Sequence, residues 1–282
     1  VDPYMAKSMS HWVILSILNY IRDYEGYRKQ QINKVYKSRN VLDFKNIKIG
    51  IYGIGEIGKV VAKDLDSLGF NVLGWSRAKK NFKFIKSYCS QTGFNHMIEN
   101  CDIHVCLLPL TIDTKRIFNK DVFLKMKEGV CFINAGRGEH IVEKDLISFC
   151  GNKIKLAVLD VFGVEPLPKT HPFWVNKNIV IWPHISAETN IETAAKQVAE
   201  AIKLIHSGKM PENKIDLNGN IIFPNLGVFQ AAGNTLKTAK SRLKLFLGKF
   251  YNGLVSSPQK TFLDVSLTQI RPVAVNVIGE AK

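Results

Sequence analysis

The sequence predicts an α/β fold built on a doubly wound parallel sheet. Short apolar runs alternate with helix-length segments from Ile47 to Ile181, the signature of strands linked by crossover helices. A glycine-rich turn directly follows the first run and opens a helical pattern. Several later runs end on a polar segment, at the sheet edge where open α/β folds bind ligands.

From Met5 to Gln31, Met9, Trp12, Val13, Leu15, Ile17, Leu18, Ile21, Tyr24 and Tyr27 recur near helical spacing and predict one long helix with a broad apolar face. Pro3 suits its start, and Val1 in place of an initiator Met points to a chain that begins mid-protein. Asn40 to Asn46 is a short polar linker. Strands are expected at Ile47–Tyr52, Asn71–Trp75, Ile103–Leu108, Val130–Asn134, Ile154–Asp160 and Asn178–Ile181, because buried parallel strands require continuous apolar runs. A helix is expected from Gly58 to Leu68, and a last one from Glu188 to Ile205, stopped by Gly208 and Pro211. The chain divides at 1–44, 45–186, 187–219 and 220–282, the last a basic, weakly periodic tail with no assignable motif.

With 282 residues, 46% of them hydrophobic, the chain buries a sizeable core. No apolar run reaches the ~18 residues that span a bilayer, and no signal-peptide pattern opens the chain, so a cytoplasmic protein without a membrane partner is expected. The five cysteines are scattered without metal-ligand spacing; they read as reduced core thiols, and no metal is expected. The +15 net charge is dispersed, which argues against a nucleic-acid partner and for a basic surface that draws anionic ligands.

Gly53-Ile54-Gly55-Glu56-Ile57-Gly58 is a G-x-G-x-x-G set between strand and helix, the context of a Rossmann-type dinucleotide site. Gly53 permits the tight turn, Gly55 admits a pyrophosphate, Gly58 packs helix on strand, and the helix N-terminus around Glu56 and Ile57 offers N–H groups to the anion. After the second strand, about 20 residues on, an NAD site places a carboxylate for the ribose hydroxyls. This chain has Ser76, Arg77 and Lys80 there, a hydroxyl, a planar fork and a charge suited to a 2′-phosphate, so NADPH is expected over NADH.

Asn134-Ala135-Gly136-Arg137-Gly138, the segment Asp160 to Pro168 with Glu165, and Pro183-His184-Ile185-Ser186-Ala187 each follow a predicted strand. Together they bring an Arg, a Glu and a His toward one crevice. Reducing a 2-oxo acid needs a cation for the carboxylate, a proton donor for the carbonyl oxygen, and a group that holds the donor.

The segments N-A-G-R-G, L-D-V-F-G-V-E-P-L-P and W-P-H-I-S-A, behind G-I-G-E-I-G and W-S-R, resemble the D-isomer-specific 2-hydroxyacid dehydrogenases, in particular their glyoxylate/hydroxypyruvate reductase A branch, from about Asp2 to Asp216. The resemblance implies that Arg137 grips the substrate carboxylate, that His184 is the general acid, and that Glu165 hydrogen-bonds its other nitrogen and fixes the ring. It places Asp160 near the nicotinamide carboxamide, and Leu108, Pro109, Leu110, Thr114, Ala135, Gly136 and Ser186 around the cofactor. It also implies a homodimer with Met9–Leu18 near the contact, and an incomplete flavodoxin-like substrate domain represented by 1–44 and the return helix in 187–219.

Two departures from that family leave alternatives open. Most of the opening substrate domain is absent, including the loop whose amides receive the substrate carboxylate, and residues 220–282 extend past the usual end. A reductase of a short 2-oxo acid is the leading reading. A catalytically impaired NADP-binding relative or nucleotide-sensing regulator would bind NADPH without turnover, and a nucleic-acid binder would show salt-sensitive retention on DNA.

Overall fold

In the computed structural model, residues 2–188 are described continuously, followed by part of 190–203 and the segments 220–223, 227–230, 262–267 and 273–278. The chain forms two compact units, Pro3–Glu188 and Thr189–Lys282. The candidate site residues all lie in the first.

That unit opens with α1 (Pro3–Ile21) and α2 (Tyr24–Ile32) and then runs β1 (Lys48–Tyr52), α3 (Glu56–Ser67), β2 (Asn71–Trp75), β3 (Lys86–Tyr88), α4 (Ser90–Asn100), β4 (Ile103–Cys106), α5 (Lys120–Lys125), β5 (Val130–Asn134), α6 (Glu143–Phe149), β6 (Ile154–Leu159) and β7 (Ile179–Ile181). The seven strands form one sheet in the order β3-β2-β1-β4-β5-β6-β7, with every pair parallel. The chain reverses its winding between β1 and β4, and the crevice of such a sheet opens at the carboxyl ends of those strands.

Alternation along the strands builds two cores. Ile49, Ile51, Ile103, Val105, Cys131 and Ile133 point to the face covered by α1 and α3; Tyr52, Cys106, Val130 and Phe132 join the opposite face with Phe94, Phe118 and Phe123. Ile49, Ile51, Phe118 and Phe132 have no exposed surface, so each contributes roughly 1.5–3 kcal/mol of apolar burial.

The expected boundary near residue 44 does not separate two bodies. Met9, Trp12, Val13, Ile17 and Ile21 of α1 are buried in the same core as β1 and α3, and Lys7 reaches Asp64 at 2.8 Å. The expected single helix from Met5 to Gln31 is broken at Asp23, whose φ of 50° lies in the left-handed region and ends the helical hydrogen bonding. β3 was not expected; it is a three-residue polar edge strand, too short to show an apolar run. The strand expected at Ile103–Leu108 stops at Cys106, where the chain turns into the loop bearing Pro109. All five cysteines are free, and Cys101, Cys106 and Cys131 are buried, as expected of core thiols.

Half of the helix expected at 188–205, and most of the 187–219 segment containing it, lie outside the described residues. In the second unit, β8 (Asn220–Phe223) pairs antiparallel with β9 (Gly227–Gln230), and β10 (Phe262–Leu267) with β11 (Val273–Ile278). No described helix is long and apolar enough to cross a membrane.

Candidate active site

The glycines of the first turn divide by what the fold requires. Gly53 has φ 107°, and a Cβ there would stand 2.5 Å from the Leu107 carbonyl oxygen; at Gly58 it would stand 2.0 Å from the Gly53 oxygen. Both are glycine because backbone passes too close for anything larger. Gly55 differs: its φ is −86°, and no atom lies within 4 Å of where its Cβ would be. The open space adjoins the start of α3, whose first-turn N–H groups have no helical acceptors. Space plus free donors at a helix N-terminus fits a pyrophosphate.

Beyond β2, Arg77 and Lys80 are exposed, and neither side chain has a hydrogen-bond or ion-pair partner among the described residues. Ser76 differs from expectation. Its hydroxyl donates to the Ala78 carbonyl at 2.7 Å, so it shapes the turn that presents Arg77.

The loop after β4 is closed by Thr114, whose hydroxyl donates to the Pro109 carbonyl at 2.7 Å and accepts from the Thr111 amide at 2.8 Å. Leu108 is buried and Leu110 exposed. After β5, buried Asn134 ties its own turn: its Oδ1 accepts from Gly136 N at 3.1 Å and its Nδ2 donates to the Arg137 carbonyl at 3.0 Å. The Ala135 amide donates to Cys106 O at 3.1 Å. The amides of Ala135 and Gly136 thus serve the fold, and their segment is left to line a site by shape. Arg137 is exposed; its Nη1 donates to Gly136 O at 2.7 Å, and its other guanidinium N–H groups have no acceptor among the described residues.

The next two segments meet each other and the Arg137 turn. A Cβ on Gly138 would fall 1.9 Å from the Phe162 carbonyl carbon, so the turn after β5 lies directly on the loop after β6. In that loop Glu165 Oε1 accepts from Phe162 N at 2.9 Å, which leaves Oε2 to His184 Nδ1 at 2.8 Å. Because a carboxylate only accepts, Nδ1 carries the proton and Nε2 faces away, without a partner among the described residues. The His184 side chain is 50% exposed. Its φ of 58° is left-handed, a conformation that costs a β-carbon residue about 1–2 kcal/mol and persists only where neighbours enforce it.

Asp160 enforces it. This carboxylate, expected beside a nicotinamide, has no exposed surface and instead accepts from Ile185 N at 2.9 Å, Ser186 N at 3.0 Å and the Ser186 hydroxyl. Asp160 therefore pins the residues after His184, and Ser186, expected at the cofactor, is buried as its partner. From the other side, Trp12 of α1 packs edge-on against Trp182, ring centroids 6.1 Å apart, and Ser8 donates to Ser186 O at 3.4 Å.

Sequence reasoning missed Asn134, His140, Glu143 and His171. His140 is fully buried between the Arg137 turn and the Pro109 loop; Glu143 and His171 brace the loop that carries Glu165. The one signal available was the placement of Asn134 and His140 within three residues of Arg137.

The comparisons with known proteins agree with this fold. The family described as D-isomer specific 2-hydroxyacid dehydrogenase, NAD binding domain, matches residues 14–186. Glyoxylate/hydroxypyruvate reductases A from Yersinia enterocolitica and Serratia proteamaculans are each 34% identical over 217 residues, 77% of this chain and 69% of theirs. A D-isomer specific 2-hydroxyacid dehydrogenase from Xanthobacter autotrophicus, solved in complex with NADPH and MES, superposes with a TM-score of 0.72 at 31% identity, over 76% of this chain and 89% of that one. An NADPH-dependent glyoxylate/hydroxypyruvate reductase from Sinorhizobium meliloti, solved with NADP and sulfate, gives a TM-score of 0.72 at 32% identity, over 75% of this chain and 69% of that one. On sequence and fold together, this chain belongs to the D-isomer specific 2-hydroxyacid dehydrogenase family.

Proposed function

We propose that this chain reduces a short 2-oxo acid, glyoxylate or hydroxypyruvate, to the 2-hydroxy acid with NADPH, and that His184 is the proton donor. The observation that carries the reading is the His184 ring, held by Glu165 through Nδ1 at 2.8 Å while Nε2 is left open on a half-exposed side chain.

Gly55, with Glu56 and Ile57 at the start of α3, would receive the pyrophosphate, and Arg77 with Lys80 the 2′-phosphate. The Leu108–Leu110 loop and the Ala135–Gly136 turn would line the remaining cofactor surface. NADPH bound there supplies the hydride for the keto carbon. The unspent N–H groups of Arg137 orient the substrate carboxylate, a charge-assisted contact that also polarises the carbonyl. The Nε2 proton of His184 goes to the carbonyl oxygen as it gains charge, giving the hydroxyl of the product. Glu165 keeps the ring in the orientation that aims Nε2 at the crevice, and the neutral ring then takes a proton back from solvent. A relative named as an NADPH-dependent glyoxylate/hydroxypyruvate reductase, and others named glyoxylate/hydroxypyruvate reductase A, support this substrate and cofactor.

The free thiols suit the reducing cytoplasm. A homodimer joined near α1 would cover Leu15 and Leu18, both exposed. The test is the fall in absorbance at 340 nm when glyoxylate or hydroxypyruvate is added with NADPH or NADH. Faster loss with NADPH is expected, and Arg77→Ala should lower kcat/KM for NADPH about 10-fold or more, as loss of a charged hydrogen bond does, while sparing NADH. NADPH binding without turnover would place the chain among the binding-only relatives.

A further inference from the structure

His140 ends the short turn at Gly138–His140 and has no exposed surface. Both of its ring nitrogens are used, and they are used in opposite senses. Nδ1 accepts from the Arg137 backbone N–H at 3.0 Å and so carries no proton. The proton then sits on Nε2, which lies 3.3 Å from the Pro109 carbonyl and donates to it. One neutral tautomer therefore satisfies both contacts, and burial, with the nearby Arg137 charge adding to it, pushes the imidazole below its ordinary range.

The surroundings leave no slack. Cys106 Sγ is 3.6 Å from Nδ1, and burial pushes its thiol up to about 12, so it stays a thiol. A Cβ on Gly136 would stand 3.0 Å from His140 Cε1 and Nδ1, and 3.0 Å from the Leu108 carbonyl oxygen. The His140 carbonyl in turn accepts from Phe118 N at 2.9 Å. The Arg137 turn, the imidazole and the loop after β4 are thus packed as one piece.

We infer that His140 is a positioning residue, whose single imidazole ties the Arg137 turn to the Pro109 loop and so sets the 2-oxo acid site against the cofactor site. The inference rests on the reading of Arg137 and of that loop given under the proposed function. The ring does not touch substrate; it acts through the Arg137 amide on one side and the Pro109 carbonyl on the other.

The two halves of the ring can be tested apart. In His140→Asn the side-chain oxygen takes the place of Nδ1 as acceptor but falls short of Pro109. In His140→Gln the amide nitrogen takes the place of Nε2 as donor but offers Arg137 no acceptor at the Nδ1 position. NADPH affinity is read from its fluorescence on binding, and KM for the 2-oxo acid from turnover. His140→Asn is expected to weaken NADPH binding about 5–10-fold with KM nearly unchanged, and His140→Gln to raise KM about 5–10-fold with NADPH binding nearly unchanged, the size of one hydrogen bond. Parallel changes in both variants, or lower melting temperatures with both constants unchanged, overturn the inference. Wild-type protein gives a check that needs no variant. The His140 ring nitrogens should report the Nε2–H tautomer by NMR and shift when NADPH is added; an Nδ1–H tautomer overturns it. If the wild-type chain reduces no 2-oxo acid, the functional reading fails separately. The NADPH affinities then still decide the Pro109 half: weakening in His140→Asn alone supports it, and equal affinities overturn it.

Discussion

The loop after β6 sits between two glutamate–histidine pairs that look alike in sequence and differ in what they leave free. Glu165 accepts from Phe162 N and holds His184; Glu143, from the first turn of α6, accepts from the next amide, Gly163 N, at 3.1 Å and holds His171 Nε2 at 3.3 Å. His171 has no nitrogen to spare, because its Nδ1 accepts from Phe173 N at 3.3 Å. Its side chain is 18% exposed against 50% for His184. The same two residue types thus make a brace where both ring nitrogens are engaged and, in the proposed reaction, a proton donor where one is left open.

Three substitutions break this comparison at different depths. The largest effect is expected from Gly138→Ala, because its methyl would overlap the Phe162–Gly163 peptide, and the amides of those two residues hold the two glutamates. It should cost about 3 kcal/mol or more in urea unfolding, as overpacking at backbone does, and lower kcat/KM as well. Glu165→Gln should follow, lowering kcat about 10–100-fold, less than the whole contribution of a positioned acid, with the melting temperature nearly unchanged. Glu143→Gln should have the smallest effect, a loss of about 1 kcal/mol of stability measured by urea unfolding, with kcat within about 3-fold of wild type. A kcat loss in Glu143→Gln equal to that in Glu165→Gln would remove the distinction between brace and donor.

Much of this was legible before any coordinates. β2 and β5 stand where their apolar runs placed them, because a strand buried on both faces must be apolar throughout. The meeting of the Arg137 turn with the Glu165 and His184 segments was legible because each follows a strand end, and the parallel sheet gathers those ends at one edge. β3 was hidden because its three residues carry no apolar pattern, and the break at Asp23 because neither glycine nor proline marks it. That Asp160 braces the His184 segment was hidden for a different reason: burial and three donors from that segment are tertiary facts that spacing does not carry. Glu143 escaped notice because its partners lie 20 and 28 residues away in sequence, at separations that mark no motif.

The most direct test of the account compares His184→Asn with His171→Asn by single-turnover oxidation of bound NADPH on mixing with glyoxylate or hydroxypyruvate, with NADPH affinity measured for both. The account expects His184→Asn to bind NADPH normally and slow the turnover about 10²–10⁴-fold, the contribution of a positioned general acid, while His171→Asn stays within a few-fold of wild type. Equal rates in the two variants, or a slower His171→Asn, would contradict it.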